Sequence, residues 1–295
     1  MKEYQYRKID AFTAQNSTGN PAACIYTENI EELSETQMLE IARQHKGFVS
    51  EVIYCSPISD SPSSYFLRYY SSECEVDFCG HGTIACIYNL IKETSTLQDQ
   101  EQILISTGKK GDVTVFNEIK SKDSIYISAP EPCYIGTYID KDIIAQELQI
   151  PLDRISNNYP VDIIDAGLRT LIVPIVSLKD EVNIYPNEQE LKAFCSANEI
   201  DIVLIYSLEV SDNNNKAHTR VFAPKFGYLE DPATGSGNSA FGYYLLKNKL
   251  WDGTDISLEQ GGSDRIFNII KISFRDNRVL FGGSATTRIK GVFYL

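Results

Sequence analysis

Apolar and polar residues change their period several times along the chain, and the order of those changes occurs twice. Residues 1–12, MKEYQYRKIDAF, alternate polar and apolar as a strand does. Ser34 and Gln37 have capping-box spacing, and Met38, Ile41, Ala42 and His45 follow at helical spacing, which predicts a helix running to a turn at Gly47. Residues 49–55 then alternate as a strand. About 150 residues later the order returns. Asn187 is a candidate cap, Glu190 follows it, Leu191, Phe194 and Cys195 share a face, and Ile202–Ser207 reads as a strand. Laying that strand over residues 50–55 superposes the two Ile-Tyr pairs and sets Glu51 opposite Val203. Glu51 then shares a face with Val49, Ile53 and Cys55, so a carboxylate points where its neighbours are apolar.

Both copies continue through a strand bearing an arginine, Arg68 or Arg220, and an acidic loop into a glycine turn that opens a helix. Cys79-Gly80-His81-Gly82-Thr83-Ile84-Ala85 aligns with Thr234-Gly235-Ser236-Gly237-Asn238-Ser239-Ala240, a shared X-G-X-G-X-X-A ahead of apolar stretches ending near Leu90 and Leu245. A single such turn reads as a tight bend. A duplicated pair predicts two helix N-termini facing one another across a pseudo-twofold axis, their backbone N–H groups aimed at a shared anion, a carboxylate. Phosphate loops do not fit: G-x-x-x-x-G-K-S/T is missing, and Ala85 and Ala240 stand where a dinucleotide fingerprint needs glycine. Gly261-Gly262 and Gly282-Gly283 read as turns or bulges between C-terminal strands.

Composition narrows the class. At 295 residues the chain is two domains or one large one. With 40 acidic against 27 basic side chains it carries a formal charge of −13, which repels nucleic-acid phosphates and anionic lipid and argues against both as partners unless a local patch overrides it. No run nears the roughly 18 apolar residues of a membrane span, and the N-terminal residues lack the apolar core of a secretory signal. Seven cysteines without a C-x-x-C pair predict reduced thiols in a cytoplasmic protein, with neither zinc nor an iron–sulfur cluster.

Gly19-Asn20-Pro21-Ala22-Ala23, Ser50-Glu51, Cys79-Gly80-His81-Gly82 and Asp231-Pro232-Ala233-Thr234-Gly235-Ser236-Gly237 make the sequence resemble the PhzF-like phenazine-biosynthesis family. The resemblance spans nearly the whole chain and extends to Glu259-Gln260-Gly261 and residues 279–283. That family is related to diaminopimelate epimerase and proline racemase. The resemblance therefore implies an α+β fold of two similar domains related by pseudo-twofold symmetry, each a curled, mostly antiparallel sheet around a central helix, with the site in the cleft between them. We expect an N-terminal domain over residues 1–128, a second over 129–280, and a C-terminal strand over 281–295 returning to the first. Carried over residue by residue, the catalytic positions fall on Glu51, His81 and Asp231, and the substrate-carboxylate positions on Gly80, Gly82, Gly235, Ser236 and Gly237. The resemblance implies an isomerase that moves a proton between carbons of a small carboxylated substrate, without metal or organic cofactor, in a homodimer.

Each candidate has a plainer reading beside it. Glu51 is either a solvated edge residue or a buried base whose pKa rises toward neutrality. His81 projects from a helix N-terminus, a setting expected to depress its pKa; His45 and His218 read as exposed bystanders. Asp231 could cap the incoming helix, or could orient substrate and assist. Cys79 and Thr234 occupy the positions where epimerase relatives carry a thiol pair, and a threonine hydroxyl is too weak an acid for that task. Arg68 and Arg220 read as structural salt bridges, and Tyr69, Tyr70, Tyr243 and Tyr244 as core or interface residues. Beside the isomerase stand two rivals: a racemase or epimerase using Cys79, and a non-catalytic protein that binds a small acid.

Overall fold

The computed structural model describes residues 1–14, 16–58, 61–261 and 266–295. The chain forms two compact units, Met1–Ser128 with Gly282–Leu295, and Ala129–Phe281.

The first unit begins with strands β1 (Glu3–Ala11) and β2 (Asn20–Tyr26), helix α1 (Glu35–Gln44), then β3 (Glu51–Pro57), β4 (Ser64–Ser71) and the two-residue β5 (Glu75–Val76). Helix α2 (Gly80–Glu93), β6 (Gln102–Thr107), β7 (Gly111–Asn117), the single turn α3 (Ile119–Lys122) and β8 (Ile125–Ser128) follow. Ser34 caps α1 in a full capping box with Gln37, so the helix starts where two otherwise unpaired backbone groups find side-chain partners. It ends at His45, ahead of Gly47 at φ +81°. Met38, Ile41 and Ala42 turn inward and pack on Val52, Tyr54 and Tyr70, and the Tyr54 hydroxyl donates to the Met38 carbonyl at 2.7 Å. Helix α2 differs: residues 82–89 and Ile91 are all buried, which marks a helix sheathed on every side rather than laid on a surface. It packs on β1, β2, β3 and β8.

The second unit holds β9 (Cys133–Ile135), α4 (Lys141–Glu147), β10 (Asp162–Asp165), β11 (Arg169–Pro174), α5 (Leu178–Glu181) and α6 (Glu188–Ala197). It continues with β12 (Ile202–Ser207), β13 (Ala217–Phe222), β14 (Glu230–Asp231), α7 (Gly235–Lys247), β15 (Ile256–Gln260), β16 (Asn268–Arg275) and β17 (Arg278–Gly283), whose last two residues already belong to the first unit. Asn187 caps α6, whose Leu191, Phe194 and Cys195 pack on Val203, Ile205 and Phe222. Helix α7 is buried along almost its whole length and packs on β10, β11, β12 and β16. From β17 the chain passes into β18 (Ala285–Tyr294), which pairs antiparallel with β1 and completes the first unit.

The two units repeat one ladder. In the first, β2 and β3 are parallel, β3 and β4 antiparallel, β4 and β6 parallel, and β6 and β7 antiparallel. In the second the same sequence of pairings joins β11, β12, β13, β15 and β16. Each is thus a mixed sheet around one buried helix, the α+β arrangement expected.

The register corrects the repeat alignment by one residue. Val52 faces Tyr70 across one ladder, and Val203 faces Phe222 across the other. Tyr70 and Phe222 hold matching places, since they pair with Glu75 and Glu230 respectively. Val52 therefore corresponds to Val203, and Glu51 to Ile202. A one-residue slip in a strand exchanges its two faces: Val203 lies on the α6 side, whereas Glu51 points with Ile53 toward the central helix, and Val49 packs in the α1 core instead. A second correction concerns Gly282 and Gly283, which lie inside β17 rather than in a turn. A Cβ on Gly282 would come within 2.0 Å of the Ile125 carbonyl oxygen, so the glycine serves close approach of two backbones. Gly261, at φ +124°, follows β15; Gly262 lies outside the described residues.

Candidate active site

The chemistry of the first unit gathers where β3 begins and α2 begins. Cys79 is the N-cap of α2 in extended conformation, and its Sγ accepts from the Gly82 N–H at 3.3 Å, closing one of the first-turn donors with a weak acceptor. Gly82 cannot easily be larger: a Cβ there would sit 2.7 Å from Ile53 Cδ1, because the turn lies directly on β3. That approach brings His81 against the first residue of the strand. His81 Nε2 lies 3.2 Å from Glu51 Oε2, and the two side chains are 12% and 17% exposed. Cys79 Sγ lies 3.4 Å from His81 Nδ1 and 3.8 Å from Glu51 Oε2. The three donor atoms lie within 4.8 Å of one another, the one such convergence of metal-type donors among the described residues.

Burial pulls the His81 imidazolium down, but the Cys79 sulfur and the Glu51 carboxylate more than offset it and hold the histidine well above its ordinary value. The expectation of a depressed pKa at the helix N-terminus is thus overturned, because the Cys79 and Glu51 side chains beside His81 outweigh its burial. Burial pushes the Cys79 thiol up, His81 draws it back and Glu51 adds to the rise, so the sulfur keeps its proton more firmly than a free thiol.

In the second unit Asp231 ends β14 and Thr234 is the N-cap of α7. Asp231 does not cap the helix directly. Its Oδ2 accepts from the Thr234 hydroxyl, and the Thr234 side chain makes no capping bond to the helix. Gly235 and Gly237 open α7 under close packing: a Cβ would meet Phe281 at 2.4 Å or Ile202 at 3.2 Å. One organiser of this turn escaped the sequence reading. Gln260, fully buried at the end of β15, accepts from the Thr234 N–H at 2.8 Å and from Asn238 Nδ2 at 2.7 Å. It also donates to the Asp231 carbonyl at 2.9 Å and the Thr234 hydroxyl at 3.0 Å. The available signal was a glutamine closing an inward-facing strand.

The structure thus gathers Glu51, Cys79 and His81 with Gly80 and Gly82 at one helix head, and Asp231 and Thr234 with Gly235, Ser236 and Gly237 at the other. Arg68 and Arg220 are in ion pairs with Glu75 and Glu230. Two histidine readings need correction. His45 is half-buried, bonded to the Ile41 carbonyl at 2.8 Å and the Tyr6 hydroxyl at 3.1 Å. His218 is fully buried against Glu181. Among the described residues no helix is long and apolar enough to cross a membrane.

Two halves, each with a buried helix headed by G-x-G, define an epimerase-like α+β fold. A hydroxyproline epimerase from Agrobacterium vitis shares the fold, with a TM-score of 0.60 at 10% identity over 99% of this chain and 91% of that one. The family model for phenazine biosynthesis-like proteins, PhzC-PhzF, matches residues 9–291, and the chain belongs to that family. A PhzF-family protein from Bacillus anthracis superposes with a TM-score of 0.85 at 22% identity, covering 100% of both chains. Among curated relatives, an uncharacterised isomerase of Clostridium acetobutylicum is 28% identical over 85% of this chain and 82% of its own length. The trans-2,3-dihydro-3-hydroxyanthranilate isomerase of Pseudomonas chlororaphis is 24% identical, over 88% and 86%. The chain is an isomerase of the PhzF type.

Proposed function

We propose that this isomerase shifts a proton within a small conjugated carboxylic acid by acid/base catalysis, without a cofactor, in the cleft expected between its halves. The observation that carries the proposal is the 3.2 Å approach of His81 Nε2 to Glu51 Oε2 at the head of α2. Glu51 takes a proton from an activated carbon, and the C–H electron pair passes into the conjugated system. The same proton then returns to another carbon, so nothing is consumed. His81 orients the carboxylate and shares its proton. Asp231 orients the substrate, and the first turns of α2 and α7, through Gly80, Gly82, Gly235, Ser236 and Gly237, bind its carboxylate, each helix end worth about 0.3–1 kcal/mol as a dipole. The name of the Pseudomonas relative supports a conjugated ring acid as the substrate class. A homodimer in the cytoplasm completes the proposal.

The racemase reading needs a reactive thiolate at Cys79, and the raised pKa of that thiol speaks against it. The test is proton exchange in deuterated buffer with a panel of small unsaturated acids and amino acids. We expect ring or vinyl positions to exchange, and Glu51→Gln to slow exchange about 10²–10⁴-fold, the usual share of a general base. Exchange undiminished in Glu51→Gln removes Glu51 from the mechanism; deuterium confined to an amino-acid α-carbon and abolished by thiol alkylation moves the reading to a racemase.

A further inference from the structure

The Thr234 side chain occupies an N-cap position yet does not cap. A threonine at the N-cap ordinarily turns its oxygen to the N–H of the second or third helical residue, here Ser236 or Gly237. The Thr234 hydroxyl instead donates to Asp231 Oδ2 and accepts from Gln260 Nε2 at 3.0 Å. A hydroxyl has one proton and two lone pairs, so the two partners fix both its proton and its orientation. Gln260 is 0% exposed, and each atom of its amide is used twice: Oε1 by the Thr234 N–H and Asn238 Nδ2, Nε2 by the Asp231 carbonyl and the Thr234 hydroxyl. Asn238, itself bonded to the Thr234 carbonyl at 2.9 Å and to the Thr219 hydroxyl at 3.1 Å, braces the glutamine from the helix. The loop between Asp231 and the helix is thereby clamped from one side chain. At α2 the matching residue, Cys79, does turn back to its third helical N–H, but with sulfur, a weak acceptor.

We propose that Gln260 is a positioning residue that diverts the Thr234 hydroxyl from capping α7. The diversion keeps the Ser236 and Gly237 N–H groups available to an anionic ligand while holding Asp231 in place. The availability of those groups to the substrate carboxylate rests on the function proposed above; the diversion itself does not.

Two readouts separate these levels. In Gln260→Met the amide is lost at nearly constant volume, and the freed hydroxyl swings to the helix. Amide hydrogen exchange should then quicken at Thr234, which loses its acceptor, and slow at Gly237, which gains one, each by roughly 3–10-fold. Adding Thr234→Val, which cannot cap, should return Gly237 to the wild-type rate. Opposite shifts at these two amides are the signature; a merely structural glutamine would quicken both, and that result, or no change at either, overturns the proposal without reference to any substrate. With whichever acid the wild type exchanges, Gln260→Met should raise KM about tenfold at nearly unchanged kcat, and the double variant should recover KM. If the amide signature holds and KM does not move, the diversion stands and the helix head is not the carboxylate site, a failure of the functional reading alone.

Discussion

Glu181 and His218 face one another in the second unit with no exposed surface, Glu181 Oε1 lying 3.0 Å from His218 Nδ1. Burial pushes the Glu181 carboxyl up; His218 and Arg220 draw it back, and Glu230 adds a smaller rise. The sign of the consequence is fixed by linkage. A carboxyl raised in the folded state binds its proton there more tightly than when unfolded, so its contribution is full below the ordinary carboxylate value and is lost as pH climbs through the raised one. Unfolding followed by denaturant from mildly acid to neutral pH should show this loss in the wild type and a flatter curve in Glu181→Gln; parallel curves would mean Glu181 is ionised throughout. The sequence suggested the opposite for His218, because residues 212–216 are a polar run. The strand Ala217–Phe222 starts immediately after that run, and the partner that makes burial tolerable comes from α5, a contact no local pattern encodes. His81 shows the same limit: its place at the helix head was legible in C-G-H-G, but not the contacts with Glu51 and Cys79 that raise its pKa.

At the scale of elements, each two-residue strand before a glycine turn is held by one arginine. Arg68 pairs through two nitrogens with Glu75 and reaches Glu35, at 16% exposure. Arg220 pairs likewise with Glu230 and also donates to the carbonyls of Glu181 and Ile184, at 0% exposure. The same residue in the same place therefore has unequal weight. Arg220→Met, which strands a carboxylate and two carbonyls, should cost about 3–5 kcal/mol, whereas Arg68→Met, near solvent, should cost about 1 kcal/mol. Denaturant midpoints of the two variants decide it, and equal losses would refute the distinction. Elements with local signals were readable: Ser34 and Asn187 mark helix starts because a cap is a few consecutive residues. Strand register was not, since it depends on pairing between distant segments, and the matched Ile-Tyr pairs misled the alignment by one residue.

At the scale of the molecule, the duplicated mixed-sheet plan was legible because two copies of one pattern corroborate each other, and the C-terminal strand stands outside that repeat. β18 pairs with β1 from Glu3 to Ala11, with an irregularity between Lys8 and Ile9, while β2 holds the other edge of β1. β1 is therefore an interior strand only because the end of the chain lies beside it. The contact is ionic as well as hydrogen-bonded: Arg288 Nε donates to Asp10 Oδ2 at 2.8 Å, and Asp10 is 3% exposed. Deleting residues 285–295 would leave β1 as an unpaired edge bearing buried Tyr4, Ile9 and Ala11, the kind of template that aggregates. It would also leave Asp10 with Lys8 as its remaining ion-pair partner among the described residues. We expect the shortened chain to lose amide protection throughout β1 and β2 and to associate with rising concentration, while the ladder of β11 and β12, whose strands lie wholly in the other unit, keeps its slow exchange. Loss of protection in both units together would show that the first unit's strand order is a condition for folding of the second, and unchanged exchange at β1 would show that β18 adds nothing to it.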